Sequence, residues 1–281
     1  MDIALPKEVK NQEKRIALTP DACAQCVKAG HTVCMEKGAG VSAGFDDAAY
    51  TDVGVTIQPD VAALYQNAHL IVKVKEPQPE ELSRLRKDHL LFCYLHLAAN
   101  PELTTALEEI GLTAVAFETV TEDDGTTPLL APMSAVAGRL SVQLGTRFLH
   151  SSLGGRGVLL GGIMGMRGGN VTVIGGGVSG HEAAHLAYHM GAHVTVMDVN
   201  QQRLDALEKQ YPDMTCVMST PEHISAVLPT TDLLVGAVYL VGKKAPHVVT
   251  QAQIKTMPQG SVAVDIAIDQ GGCFATSKPC T

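Results

Sequence analysis

Gly175-Gly176-Gly177-Val178-Ser179-Gly180 fits the pattern G-x-G-x-x-G, whose chemistry is the cradling of a dinucleotide pyrophosphate. The pattern alone is weak, but here it follows an apolar strand, Val171-Thr172-Val173-Ile174, and opens a helix that runs to about Met190. Gly175 permits the tight turn, Gly177 lets the pyrophosphate approach the backbone, and Gly180 lets helix and strand pack closely. The helix start adds N–H groups without intrahelical partners and the positive end of a dipole. Asp198 closes the next strand, 18 residues after Gly180. A carboxylate there accepts from the adenosine ribose hydroxyls and repels a 2′-phosphate, which favours NAD over NADP. The competing reading is a glycine-rich turn in an α/β protein that binds nothing.

The elements that must position this turn are short apolar runs alternating with helical stretches, the mark of parallel βαβ units. In the first half the expected strands are Asp2–Leu5, His31–Met35, Leu70–Val74, Leu90–Tyr94 and Thr113–Ala116. A helix lies between the first two, with Thr19 to cap it, Pro20 in its first turn and Gly30 to end it. Glu122-Asp123-Asp124-Gly125 reads as a loop. Ser134 to Leu149 reads as a long helix with Val136, Leu140, Leu144 and Phe148 at four-residue spacing. In the second half the expected strands are Val171–Ile174, His193–Met197, Met214–Val217, Leu233–Ala237 and Val262–Ile268. The fold class is therefore α/β: two doubly wound, Rossmann-like parallel sheets joined by a long helix, with the boundary near residue 132.

The bulk properties agree. The 281 residues allow two medium cores, and 46% hydrophobic with 18% charged residues is globular. A net charge of −8 argues against a phosphate-backbone partner, so nucleic acid is not expected. The N-terminus carries no basic-then-apolar leader, and no apolar run is long enough to cross a bilayer. Seven scattered cysteines fit a reducing compartment, so a cytoplasmic protein without membrane partners is expected.

Several blocks carry a resemblance. They are Pro6-Lys7-Glu8, Glu13-Lys14-Arg15-Ile16-Ala17-Leu18-Thr19-Pro20, Val72-Lys73-Val74-Lys75-Glu76-Pro77 and Tyr94-Leu95-His96-Leu97-Ala98. Phe117-Glu118-Thr119-Val120 and Asp265-Ile266-Ala267-Ile268-Asp269-Gln270-Gly271-Gly272 complete the set. With them the chain resembles the alanine dehydrogenase/pyridine nucleotide transhydrogenase family, its alanine-oxidising branch in particular. The resemblance implies NAD-linked interconversion of L-alanine with pyruvate and ammonia by a homo-oligomer, a hexamer in the family. It implies a substrate domain over 1–132 and an NAD-binding domain with its connecting helix over 133–281.

The resemblance places Arg15 and Lys75 at the substrate carboxylate, where a planar fork and a point charge suit an anion. It makes His96 the acid/base group, whose ordinary pKa lies near neutrality. Asp269, expected at the end of a strand, becomes the second catalytic residue, beside the iminium that water attacks. It also places Ser134, Val178, Ser179, Arg203 and Ser219 against NAD, with Arg203 near the adenosine end. Taken without those blocks, Arg15 and Lys75 read as solvated charges, His96 equally as a core histidine, and Asp269 as the brace of a turn.

Other signals count for less. Cys23-Ala24-Gln25-Cys26 has no second pair and reads as packing inside a helix. His181, His185 and His189 share one helix face, expected to look toward solvent or a subunit contact while Ala183, Leu186, Ala187 and Met190 are buried; no metal is expected. The resemblance implies a further segment beyond Thr281 that supplies a sixth strand, a turn beside the nicotinamide and a return to the first domain. A chain ending there is expected to have weakened activity. The alternatives are the soluble NAD-binding domain of a proton-translocating transhydrogenase, or a non-catalytic NAD-binding remnant.

Overall fold

The computed structural model describes residues 1–240 and 242–278, which form two compact units, Met1–Thr127 and Pro128–Thr281. The first unit begins with β1 (Asp2–Leu5), α1 (Pro20–Lys28), β2 (Thr32–Glu36), α2 (Asp47–Thr51) and β3 (Thr56–Gln58). It continues through α3 (Val61–Gln66), β4 (Leu70–Val72), α4 (Pro79–Leu82), β5 (Leu90–Cys93), α5 (Pro101–Ile110) and β6 (Thr113–Ala116). The strands form one sheet in the order β3-β2-β1-β4-β5-β6, and every pairing is parallel. The order reverses between β1 and β4, so a crevice opens outside their carboxyl ends.

The five strands expected here are all present, within two residues at each end. The edge strand β3 is an addition: three residues of intermediate or high exposure, too short for a period-two pattern to stand out. Thr19 Oγ1 caps α1 by accepting from Ala22 N at 3.4 Å, and Gly30 takes φ +85° just beyond it. Both faces of the sheet are covered. Leu64, Ile71, Leu91 and Leu103 fill one core, and Leu5, Val33, Met35 and Tyr50 fill the other.

The second unit comprises α6 (Ala131–Phe148), β7 (Asn170–Ile174), α7 (Val178–His189), β8 (His193–Asp198), α8 (Gln201–Gln210) and β9 (Thr215–Met218). Then follow α9 (Pro221–Val227), β10 (Leu233–Gly236), α10 (Gln251–Ile254) and β11 (Val262–Asp265). This sheet is five-stranded and parallel, in the order β11-β10-β7-β8-β9. Side chains alternate between two cores. Val171, Val173, Leu233 and Val235 face one, and Ile174 and Leu234 face the other.

Two expectations change, and α6 shows a buried face that its spacing leaves open. The α6 stripe Val136, Leu140, Leu144 and Phe148 is exposed, and the buried face is Gly138, Ser141, Val142 and Gly145. Small residues win there because α6 lies hard against α7: a Cβ on Gly138 would stand 2.2 Å from Ser179 O. The strand expected over Val262–Ile268 stops at Asp265, and Ile266–Gln270 winds into a 3₁₀ turn. Finally, His181 and His185 do not simply face water. His185 Nδ1 lies 2.8 Å and His181 Nε2 3.2 Å from the hydroxyl of buried Tyr211, and Met190 is the exposed residue instead. Among the described residues no His, Cys, Asp and Glu grouping could hold a metal ion.

Candidate functional site

In the first unit the candidate side chains stand just past four neighbouring strands. Glu8 and Arg15 follow β1, Lys75 follows β4, His96 follows β5 and Glu118 follows β6. Parallel strands deliver their carboxyl ends to one side of a sheet, so residues far apart in sequence gather at one edge. Electrostatics tie them together: Arg15 acts on Tyr94 and Glu8, and Lys75 acts on Glu13.

Two buried carboxylates brace the site, and the motif blocks contain both without disclosing their task. Glu8 accepts from Val74 N at 2.6 Å and from Lys75 N at 3.3 Å, fixing the backbone that carries Lys75. Burial pushes the Glu8 carboxyl above its usual range, against the pull of the Lys73 ammonium. Lys73 is fully buried, with Nζ 2.7 Å from Glu81 Oε1 and 3.5 Å from Glu8 Oε2. Tyr65 OH donates to the same Glu81 oxygen at 2.9 Å.

Glu118 does the same for His96. Its Oε1 accepts from His96 N at 2.6 Å, and both its oxygens lie 3.3 Å from Leu95 N. That oxygen is also 3.9 Å from His96 Nδ1. His96 sits at φ +49°, ψ +38°, left-handed backbone that is uncommon outside glycine and in which asparagine, aspartate and histidine are the usual exceptions. The imidazole is mostly enclosed and stacks on Tyr94, with ring centroids 6.0 Å apart and planes 6° from parallel.

Arg15 is presented differently from expectation. Its Nε and Nη2 bind the two oxygens of Glu13 at 2.9 and 2.6 Å, in a bidentate fork. Burial opposes the charge on Glu13, yet the Arg15 side chain and backbone N–H hold its carboxyl at about 2. A guanidinium has five N–H donors, and this fork engages those on Nε and Nη2.

In the second unit the glycine turn meets its geometric demands. Gly175 has φ +100°, and a Cβ on Gly180 would lie 1.7 Å from Gly175 O. At Gly177 a Cβ would meet nothing within 4 Å. The backbone there faces open space at the start of α7, with Val178 and Ser179 forming the first turn, so these residues fit a pyrophosphate. Asp198 is buried at the end of β8; Oδ2 accepts from Gly176 N at 2.6 Å and Oδ1 from Asn200 N at 2.8 Å. Each carboxylate oxygen has a further acceptor position for a ribose hydroxyl. The Asp198 tie to the turn is a contact that sequence spacing does not disclose. Arg203 Nη1 lies 3.6 Å from Asp198 Oδ2, and Ser219 N donates to Asp198 O at 2.9 Å, so both gather at the same strand end. Ser134 shares the Gly138 face of α6, one turn earlier. Asp269 is exposed on the 3₁₀ turn after β11.

Two doubly wound parallel units, one bearing a dinucleotide turn and the other a cluster of Arg, Lys and His at its strand ends, define an NAD(P)-linked type of α/β protein. Residues 4–137 match the model of the alanine dehydrogenase/PNT N-terminal domain, and residues 141–281 match that of the C-terminal domain. The chain belongs to this family. It is 49% identical to an alanine dehydrogenase of Halomonas elongata, covering 100% of this chain and 76% of that one. Identity is 47% to the alanine dehydrogenase of Bacillus subtilis, covering 98% and 73%. A solved L-alanine dehydrogenase superposes with a TM-score of 0.90 at 47% identity, covering 100% of this chain and 78% of that chain. A transhydrogenase from Sinorhizobium meliloti shares the fold, with a TM-score of 0.80 at 23% identity and coverage of 99% and 82%.

Proposed function

We propose that this protein is an NAD-dependent dehydrogenase that deaminates L-alanine to pyruvate and ammonia and catalyses the reverse amination. The observation that carries the reading is the gathering of Arg15, Lys75 and His96 past adjacent strands, in a chain whose relatives are alanine dehydrogenases. Bound NAD supplies the acceptor for the hydride that leaves the alanine Cα. Arg15 and Lys75 hold the substrate carboxylate, and the Lys75 charge also favours the carbonyl oxygen of pyruvate. His96 takes a proton from the water that attacks the iminium carbon and returns one as ammonia leaves. Asp269 stabilises the iminium charge and orients that water. Gly175, Gly177, Val178, Ser179 and Gly180 bind the pyrophosphate. Asp198 binds the adenosine ribose, and Ser134, Arg203 and Ser219 complete the cofactor contacts. Residues 1–132 act as the substrate domain, and residues 133–281 as the NAD domain with its connecting helix.

The reading extends to a cytoplasmic homo-oligomer, as the family resemblance implies. Among the described residues no helix is long and apolar enough to cross a membrane. The exposed α6 stripe is apolar surface of the kind that subunit contact covers. The test is NADH formation from L-alanine, with NADH binding measured in parallel, on the wild type and on His96→Ala. Turnover lost in the variant while NADH still binds is the expected result. No turnover by the wild type on L-alanine, or no NADH binding, overturns the reading.

A further inference from the structure

We propose that Asp265 is a positioning residue for the reaction, acting through Asp269. The inference rests on the role given to Asp269 above. Asp265 is the last residue of β11, and its carboxylate closes the loop that carries Asp269. Oδ1 accepts from Ala267 N at 3.0 Å and from Cys273 Sγ at 3.3 Å. Oδ2 accepts from Cys273 N at 2.8 Å, from Phe274 N at 3.1 Å and from the Ser277 hydroxyl. Five donors from both arms of the loop thus converge on one carboxylate.

The chain reaches this arrangement through two consecutive glycines in left-handed backbone, Gly271 at φ +97° and Gly272 at φ +78°. They reverse its direction so that the amides of Cys273 and Phe274 point back to the strand end. Gly272 N donates to Ala267 O at 2.9 Å, and Ala245 N donates to Gln270 O at 2.9 Å. Cys273 and Phe274 are buried in the core, as are Ala267 and Gln270 on either side of Asp269. Asp269 is therefore the exposed point of a loop whose two sides are anchored. Burial raises the Cys273 thiol above its ordinary range, and the adjacent carboxylate raises it further, so the thiol stays a donor.

An ionised Asp is the residue type this geometry requires. It is acceptor-only, with about four lone-pair sites, whereas Asn offers one oxygen and turns an NH₂ group toward the N–H donors. Asp265→Asn keeps the shape of the side chain and breaks the loop at its centre. A hydrogen-bond knot that only stabilised the unit would lower activity and folding together. One that positions Asp269 produces losses that vanish once Asp269 is removed.

The test uses the full chain in the wild type, Asp265→Asn, Asp269→Asn and the double variant. Amide exchange over 266–274, NADH affinity and L-alanine oxidation are measured on each. Protection across 266–274 is expected to fall in Asp265→Asn, NADH affinity to stay within about twofold, and kcat to fall roughly tenfold or more, since the Asn NH₂ group must face at least two of the five donors. In the Asp269→Asn background the same substitution is expected to change kcat by less than about twofold. Losses that multiply in the double variant overturn the inference, as does unchanged protection over 266–274. Ser277→Ala removes a single donor and provides a milder version if the Asn variant folds poorly; its exchange is expected to rise in the same segment. The exchange arm tests whether Asp265 holds the loop even where L-alanine is not oxidised, and the double variant tests whether that hold acts through Asp269, so failure of the activity reading and failure of this inference remain distinct.

Discussion

Ala at Gly177 and Ala at Gly180 add the same methyl group three residues apart, and the structure requires opposite outcomes in the free protein. The Cβ at position 180 would lie 1.7 Å from Gly175 O and 2.8 Å from Gly175 C, and neither is a side-chain atom that can swing away. Ordinary contact begins near 3.4 Å, so the turn or the helix must shift by well over an ångström. Overpacking costs about 1–3 kcal/mol, and the backbone clash puts this case at the upper end. At about 2–4 °C per kcal/mol for a chain of this size, Tm falls by roughly 6–12 °C. The Cβ at position 177 meets nothing within 4 Å, and its backbone, φ −68° and ψ −166°, suits any residue. Gly177→Ala therefore keeps the wild-type Tm to within about a degree. Its methyl group instead occupies the space assigned to the pyrophosphate. Losing one charge-assisted amide–phosphate bond costs about 1.5–3 kcal/mol, which weakens NADH binding roughly 10- to 100-fold. Thermal unfolding and NADH fluorescence titration on both variants test the pair. Wild-type NADH affinity in Gly177→Ala would refute the placement of the pyrophosphate, and an unchanged Tm in Gly180→Ala would refute the packing argument.

Two further outcomes follow from the first unit. Glu118→Gln replaces a carboxylate that receives two amides with a group having one acceptor oxygen, loosening the backbone at His96. Alanine oxidation is expected to fall roughly 10- to 100-fold while NADH affinity holds, as steady-state kinetics and titration will read. Glu13 supplies a pH test. Its folded-state value of about 2 lies below the ordinary carboxyl range, so its contribution is complete above about pH 4.5 and is lost as pH falls toward 2. Arg15 is nearly half exposed, and screening there limits the contribution to about 1 kcal/mol. Urea unfolding is expected to show wild type more stable than Glu13→Gln at pH 6, with the gap narrowing below about pH 4.5 and closing as pH falls through about 2.

Much of the scaffold is legible because parallel strands covered on both faces must be continuous apolar runs; Val171–Ile174 and Leu233–Ala237 announce themselves. The dinucleotide turn is legible because each glycine answers a local steric demand. What local pattern leaves open here turns on contacts between distant segments in two cases and on a local contact in the third. The four-residue spacing of Val136, Leu140, Leu144 and Phe148 identifies a helix but not its buried face, which the approach of α7 to Gly138 decides. The apolar run after Val262 reads as strand through Ile268, yet Asp265 ends it by drawing in the amide two residues on. Three histidines at helical spacing do not reveal that Tyr211 lies beneath them.

The bracing carboxylates share a physical cause that no local pattern carries. Where a parallel strand ends, the chain leaves the ladder and its next amides lose their partners. A buried N–H without an acceptor costs about 1–3 kcal/mol. Glu8 takes the amides beyond β4, Glu118 those beyond β5, Asp198 that of Gly176 beyond β7, and Asp265 those of its own returning loop. A carboxylate suits each place because its two oxygens accept several amides at once. These are also the strand ends where ligands of such sheets gather. The demand for acceptors and the demand for exactly placed side chains therefore fall on the same few residues. Glu8 and Glu118 lie 66 and 22 residues from the amides they hold, so the fold must exist before either can act. A site built this way is rigid because its backbone amides are saturated. Glu8 and Glu118 direct their charge to those amides and, for Glu8, toward Lys73, whereas Glu13 pairs with Arg15, so in the proposed reaction the substrate carboxylate competes with Glu13.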